Sequence, residues 1–173
     1  VLHQGKAVKI HLPTAKAVYV ESIVSIIDNA HTPILLENAA GQGTEMGWVF
    51  DDSDYSYPVI YNLIYDRVKS LRKTNMIGIC IDTCHLFAAG EYDISKCSEV
   101  ERFFEDIDKT IGIDQIKLVH LNDSVHPFGS RLDRHACVGS GEIGITGLIA
   151  FAQMCKELDI PMVMETKGHE SVS

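Results

Sequence analysis

The sequence predicts a parallel α/β sheet in a single domain. Two observations carry that reading. Short apolar or β-branched runs alternate with longer segments that repeat apolar residues at helical spacing, giving the order β-α-β-α-β-α-β-α-β. Each strand run also ends in a side chain able to bind a metal, so the polar groups should gather along one rim of the sheet.

Val1-Leu2-His3 reads as the end of a strand, and the chain is expected to be a fragment or a processed product whose N-terminal part lies elsewhere. Thr14 is a candidate cap for a helix running to about Ala30, with Val18, Ile23, Ile26 and Ile27 as its apolar positions. Pro33 to Glu37 is a short apolar strand, followed by a loop over 38–57 rich in Gly, Asp and Ser. Pro58 can open the next helix, with Ile60, Leu63, Ile64, Val68 and Leu71 on one face. Met76 to Asp82 is the next strand; His85 follows, then a loop containing Ala88-Ala89-Gly90. Ser98 and Glu101 have the spacing of a capping box for a helix that turns Val100, Phe103, Phe104, Ile107 and Ile111 inward. Ile116 to Asn122 is a strand, and a long loop runs from Asp123 to about Ile145. Thr146 can cap a last helix through Leu148, Ile149, Ala152, Cys155 and Leu158, and Pro161 to Glu165 is the last strand.

The strand ends are His3, Glu37, Asp82, His120 and Glu165. Strand side chains alternate with period two, so Leu35, Cys80, Leu118 and Val163 should share a face with these ligands. Ile34, Leu36, Ile79, Ile81, Val119 and Leu121 should face the helices. An acid or imidazole at the end of a buried strand is costly to desolvate, and a metal would offset that cost. One such residue is weak support; five at successive strand ends are hard to obtain by chance. His85 lies just past Asp82, and Asp133 with His135 lies in the long loop, an Asp-x-His pair that can hold one ion. Imidazole and carboxylate donors without a thiolate pattern suggest Zn, Mn or Fe.

Other readings apply to single residues. His3 can be a surface histidine, Glu37 a turn residue, and Asp133 with His135 a solvated pair. Cys80 and Cys84 read as packing residues rather than a thiolate site. His11, His31, His126 and His169 read as surface or loop residues. Gly139, Gly141 and Gly144 fit a phosphate cradle and ordinary loop turns equally well.

Composition sets outer bounds. The 173 residues are 46% hydrophobic and 23% charged, enough for a substantial core, and no apolar run approaches a membrane span. The formal charge of −9 is unlike the basic footprint of most nucleic-acid binders. Two or three bound divalent ions, roughly +4 to +6, would invert the field locally. Five cysteines at irregular spacings fit a reducing intracellular compartment, cytoplasm or nucleus, better than a disulfide framework.

Several motifs together resemble one family. They are Leu36-Glu37-Asn38-Ala39-Ala40-Gly41-Gln42-Gly43, Ile81-Asp82-Thr83-Cys84-His85-Leu86-Phe87-Ala88-Ala89-Gly90, and His120-Leu121-Asn122-Asp123-Ser124. Gly129-Ser130-Arg131-Leu132-Asp133-Arg134-His135, Gly139-Ser140-Gly141-Glu142-Ile143-Gly144 and Met164-Glu165-Thr166 complete the set. Their order and spacing resemble the endonuclease IV family of abasic-site DNA repair enzymes over nearly the whole chain. The resemblance implies a (β/α) TIM barrel, of which 1–173 would be the C-terminal portion holding the last five of eight β/α units.

It also implies up to three zinc ions, with Mn2+ or Fe2+ as substitutes. Glu37 would bridge two ions and orient the nucleophile. Asp82, His120 and Glu165 would complete the second site; His85, Asp133 and His135 would hold the third; His3 would serve the first. The implied reaction is hydrolysis, by a metal-bound hydroxide, of the phosphodiester 5′ to an abasic site in double-stranded DNA, with a 3′-hydroxyl and a 5′-deoxyribose phosphate as products. Arg131 and Arg134 would contact phosphates, or else pair with nearby acids. No membrane and no obligate protein partner is implied.

The chain departs from the family pattern in four places. An earlier strand histidine for the first ion is absent, Gln4 replaces the usual proline, Glu91 is inserted after Gly90, and Val125 stands where lysine is common. Two other readings compete. A sugar isomerase or epimerase of the same barrel type would use strand-end Glu, Asp and His with one or two ions, and the Asp133/His135 pair argues against it. A catalytically incomplete metal-binding module that binds DNA is the other, favoured by the incomplete first-ion site.

Overall fold

A computed structural model describes residues 1–51 and 53–165; Thr166 and His169 lie outside the described residues. Five strands form one parallel sheet: β1 (Leu2–His3), β2 (Ile34–Glu37), β3 (Ile77–Asp82), β4 (Ile116–His120) and β7 (Met162–Val163), in the order β1-β2-β3-β4-β7. Neighbours in space are therefore neighbours in the main βα succession, as in an arc of a barrel. The helices are α1 (Leu12–Asn29), α2 (Tyr57–Ser70), α3 (Thr83–Ala89), α4 (Cys97–Thr110) and α5 (Gly144–Glu157). A small antiparallel hairpin of β5 (Asp123–Ser124) and β6 (His135–Ala136) stands in the long loop after β4.

The sheet's outer face carries the core. Leu36, Ile79, Ile81 and Val119 are fully buried, as period two predicts, and they join Ile27, Ile60, Ile64, Val68, Phe103 and Phe151 from the helices. The opposite face is covered unevenly: Cys80 is buried, Leu35 and Leu118 are half-buried and Val163 is exposed. That is the inner face of an arc of strands, with less packed against it than the helix side. Among the described residues no helix is long and apolar enough to cross a membrane.

The helix faces correct the sequence in detail. Val18 and Ile26 on α1, Leu63 on α2 and Ile149 on α5 are exposed, as are Leu71 and Leu158 just past their helix ends. On α1 the buried set is Ala15, Val20, Ile23, Val24 and Ile27, a rotation that apolar content alone did not resolve. The α4 face is as expected, with Val100, Phe103, Phe104 and Ile107 buried and Ile111 partly so.

Three caps also differ. Thr14 does not start α1, which opens earlier with Pro13 in its first turn, where a missing N–H costs nothing. Ser98 and Glu101 form no capping box: α4 begins at Cys97, so Ser98 is already inside the first turn and Lys96 is the cap residue. Thr146 does not cap α5. The amides of Ile143 and Gly144 instead donate to Asp123 Oδ1 at 3.0 and 3.3 Å, so a distant carboxylate caps the helix and complements its positive end. At α2 the cap is Ser56, whose hydroxyl accepts from Val59 N.

Gly147 shows how closely α5 packs on the segment before α4. A Cβ there would lie 2.0 Å from the Ile94 carbonyl oxygen and 2.8 Å from Ser95 Cα, both backbone atoms. Gly147→Ala is expected to destabilise the fold by about 2 kcal/mol or more, seen as a lowered thermal midpoint.

Candidate metal centre

The strand ends meet at one rim because the register places them there. His3 pairs with Glu37 across β1 and β2, and Asp82 pairs with His120 across β3 and β4. Glu37 lies opposite Cys80, so Asp82 stands two residues further up the same face. Glu37 and Asp82 are buried, as are His85 and His120, whereas His3 is 70% exposed at its side chain.

Asp82 is more than a strand end. It is the N-cap of α3, its Oδ1 accepting from His85 N at 2.9 Å. The residues after Asp82, expected as a loop, are therefore a seven-residue helix closed by Gly90 at φ +89. The signal was present: an Asp before a short helical run and a Gly after it.

The ligand-type atoms fall into overlapping groups. Glu37, Asp82, His120 and Glu165 offer donor atoms within 4.8 Å of one another; so do His3, Glu37 and His85, and so do Asp82, His85 and His135. His120 Nδ1 lies 3.1 Å from Glu37 Oε1 and 3.3 Å from Glu165 Oε2. In the long loop, Asp133 Oδ1 lies 3.2 Å from His85 Nε2 and 3.3 Å from His135 Nε2. All eight residues expected as ligands thus converge on one rim. Two arrangements were not expected: His85 also reaches the His3 and Glu37 group, and Cys84 stands with Asp133 and His135. Burial and Asp82 push the Cys84 thiol up to about 12, and it donates to the Arg134 carbonyl, so it behaves as the packing residue the sequence suggested.

Whether this donor set fits ions can be tested on its unpaired atoms. Glu37 Oε2, His85 Nε2 and His135 Nε2 are buried and have no hydrogen-bond partner, although carboxylates or imidazoles lie within ion-pair distance. Buried polar atoms are normally paired, so three lone-pair carriers gathered without partners match an ion-shaped requirement. The Nδ1 of His85 faces the Asn38 carbonyl at 3.0 Å, which keeps a proton on Nδ1 and leaves Nε2 for a metal. The electrostatics agree. Burial opposes a charge on His85, but Asp82, Asp133 and Glu37 hold it up at about 10. Asp133 is held well below the usual carboxylate range by the imidazoles of His135 and His85 that lie beside it. The hydrogen bond to Glu37 raises His120, and the neighbouring Asp133 carboxylate raises His135. Protons thus occupy positions for which divalent cations compete.

Supporting residues that sequence reasoning missed hold the ligands. Asn38 is buried; its Oδ1 accepts from Asp82 N at 2.8 Å and its Nδ2 donates to Asp82 O, which continues the β2–β3 ladder past the strand end. Asn122 Nδ2 donates to Asp82 Oδ2 at 2.6 Å and to Glu165 Oε2 at 3.3 Å, while its Oδ1 accepts from Glu165 N. Asp123 accepts from the amides of Ser124, Gly139, Gly141, Ile143 and Gly144. The phosphate-cradle reading of Gly139, Gly141 and Gly144 is thereby corrected: an internal carboxylate already takes those amides.

Arg131 and Arg134 are exposed beside Asp133. Among the described residues neither forms an ion pair with an acid. The Arg131 guanidinium lies 4.0 Å over the Trp48 ring, and Arg134 donates to the Asp133 carbonyl. Glu91 accepts from Phe50 N at 2.7 Å, tying the 38–57 loop to the end of α3.

Comparison with known proteins shows the family. A family model described as a xylose isomerase-like TIM barrel matches residues 1–171. The chain belongs to the endonuclease IV family of such barrels. A relative named "Probable endonuclease 4" from Chlorobium phaeovibrioides is 43% identical over 136 residues, which are 79% of this chain and 44% of the relative. One of the same name from Chlorobium phaeobacteroides is 34% identical over 174 residues, covering 98% of this chain and 56% of the relative. Among solved structures, endonuclease IV of Thermus thermophilus superposes with a TM-score of 0.67 at 27% identity, over 97% of this chain and 54% of that one. The chain spans about half the length of the curated relatives it matches. As a member of the endonuclease IV family, its five-stranded sheet is part of a TIM barrel, and the ligand rim is the barrel's C-terminal end.

Proposed function

We propose that this chain carries the metal centre of a zinc-dependent nuclease that hydrolyses the phosphodiester 5′ to an abasic site in double-stranded DNA. The observation that carries the proposal is the overlap of the ligand groups: Glu37, Asp82, His85 and His135 each lie at the boundary between two neighbouring clusters of donors. Contiguous sites of this kind suit phosphodiester hydrolysis, where an attacking and a departing oxygen carry charge together. Bound divalent ions supply a nucleophile by lowering the pKa of water from about 15.7 towards ~7, and they screen charge on the phosphate.

The chain's own residues divide the remaining work. Glu37, Asp82, His120 and Glu165 would hold one ion, His85, Asp133 and His135 another, and His3 with Glu37 a third. Glu37 sits at the junction of these groups with Oε2 unpaired, the position from which a carboxylate can orient a water. Nitrogen and oxygen donors favour Zn, with Mn2+ or Fe2+ as substitutes. Arg131, placed over the Trp48 ring, and Arg134 present cationic groups beside the ligand loop, suited to backbone phosphates and to salt-sensitive binding. The Asp133–His135 pair, within ion-pair distance of buried His85 rather than facing solvent alone, favours this reading over a one- or two-ion sugar isomerase.

The test is incubation of the zinc-loaded chain with a duplex carrying one abasic site. Single-strand nicks ending in a 3′-hydroxyl, abolished by a chelator, are expected. An intact duplex together with isomerisation of a free pentose would overturn the reading in favour of the isomerase.

A further inference from the structure

Beside the metal rim lies a cavity of about 140 Å³, lined by His3, His85 and Asp133 on one side and by Gln4, Lys6 and Glu45 on the other. Gln4 is 6% exposed, and neither its Nε2 nor its Oε1 has a hydrogen-bond partner. Buried carboxamides are normally paired at both ends, so this one is shaped for something that enters.

Its surroundings hold it in place. A Cβ on Gly47, which has φ +67, would lie 2.8 Å from Gln4 Cδ, so the amide rests directly against that glycine. The next residues are fixed to the loop opposite: Met46 N donates to Gly5 O, Ala7 N donates to Thr44 O, and Lys6 Nζ pairs with Glu45 at 3.2 Å. The wall bearing Gln4 is therefore preorganised. The cation Lys6 is already neutralised by Glu45, so Gln4 is the cavity's uncommitted polar group on that wall.

The chemistry of the occupant follows from the two unpaired ends. An anion would satisfy only Nε2 and a cation only Oε1. A hydroxyl both accepts and donates, and satisfies both. The cavity is larger than one water requires. This inference rests on the reading that abasic DNA is the substrate. In an intact DNA strand, the internal sugars carry no free hydroxyl, because the 3′ and 5′ oxygens are esterified and C1′ holds a base. The ring-closed abasic deoxyribose is the exception, with a hydroxyl on C1′. A sugar one bond from a phosphate at the metal rim would enter this neighbouring cavity. We infer that Gln4 is a specificity-determining residue whose carboxamide hydrogen-bonds the C1′ hydroxyl of the abasic deoxyribose, so that the site reads the lesion directly.

Binding of 2-deoxyribose 5-phosphate and of its 1-deoxy analogue, which lacks only that hydroxyl, tests this in the zinc-loaded chain by calorimetry. The native chain is expected to prefer the hydroxylated sugar by roughly tenfold, because the analogue leaves the amide unpaired. Gln4→Met, close in shape but without the amide, is expected to bind both equally. It should also melt no lower than the native chain, since it removes an unpaired buried group; a residue with only a structural role would lower the melting point and leave the preference intact. Equal binding of the two sugars by the native chain, a preference retained in Gln4→Met, or no binding of either sugar would overturn the inference. A chain that nicks abasic duplexes yet shows no preference refutes the role of Gln4 alone. A chain that shows the preference and does not nick refutes the nuclease reading alone.

Discussion

Replacing Glu37 by glutamine is expected to remove at least one bound zinc per chain and to abolish nicking of an abasic duplex. Glu37 is buried, belongs to two donor groups at once, and has no substitute within reach of both. The amide keeps the shape and loses the charge, and its NH2 would face either an ion or the imidazoles of His3, His85 and His120. Removing one charge from a buried, mutually dependent set costs about 3–5 kcal/mol, or roughly 10²–10⁴ in metal affinity. Metal analysis after gel filtration should find two or more zinc ions in the native chain and fewer in Glu37→Gln. A variant with full metal content and full cleavage would remove Glu37 from both roles; a native chain holding zero or one ion would remove the multi-ion centre itself.

Asp123→Asn is expected to cost about 3 kcal/mol or more of stability and to loosen the ligand loop. Its two oxygens accept from five backbone amides between Ser124 and Gly144. An asparagine has one acceptor oxygen, and its NH2 would confront the remaining N–H groups, so the isosteric change is worse than a simple loss. The same carboxylate caps α5, and the strand it belongs to pairs with β6, which carries His135. The thermal midpoint should therefore fall, and the ion held by His85, Asp133 and His135 should be lost more readily to a chelator than the ion held by Glu37, Asp82, His120 and Glu165. A variant with native melting and uniform metal release would show that the loop does not depend on this anchor.

Part of this centre was legible in the sequence because it follows local rules. Strand side chains alternate, and a polar residue ending an apolar strand must lie at the sheet's rim; that places Glu37, Asp82 and His120 whatever their neighbours do. The helix faces were less legible where apolar residues are plentiful. α1 offers more of them than one face can bury, so Val18 and Ile26, apolar though they are, lie in solvent. The caps failed for a different reason. A local capping residue is only one way to satisfy a helix terminus, and α5 is capped by Asp123 from beyond its own segment. Asn38 directly follows a ligand and Asn122 lies two residues past one, but no local pattern shows their roles, since their partners lie 44, 40 and 43 residues away.

By itself, then, the sequence determined the alternation of strands and helices, the outer core face of the sheet, and the eight side chains that can bind metal. Only the tertiary structure decided how those eight are shared. His120 meets Glu37 across 83 residues of chain, His85 stands between two groups, and Gln4 is left unpaired beside them. The physical reason is range. The period of a strand is set by each residue's own backbone. Which donors fall within reach of a common ion depends on the register between strands and on loops anchored by distant hydrogen bonds, which no local pattern encodes.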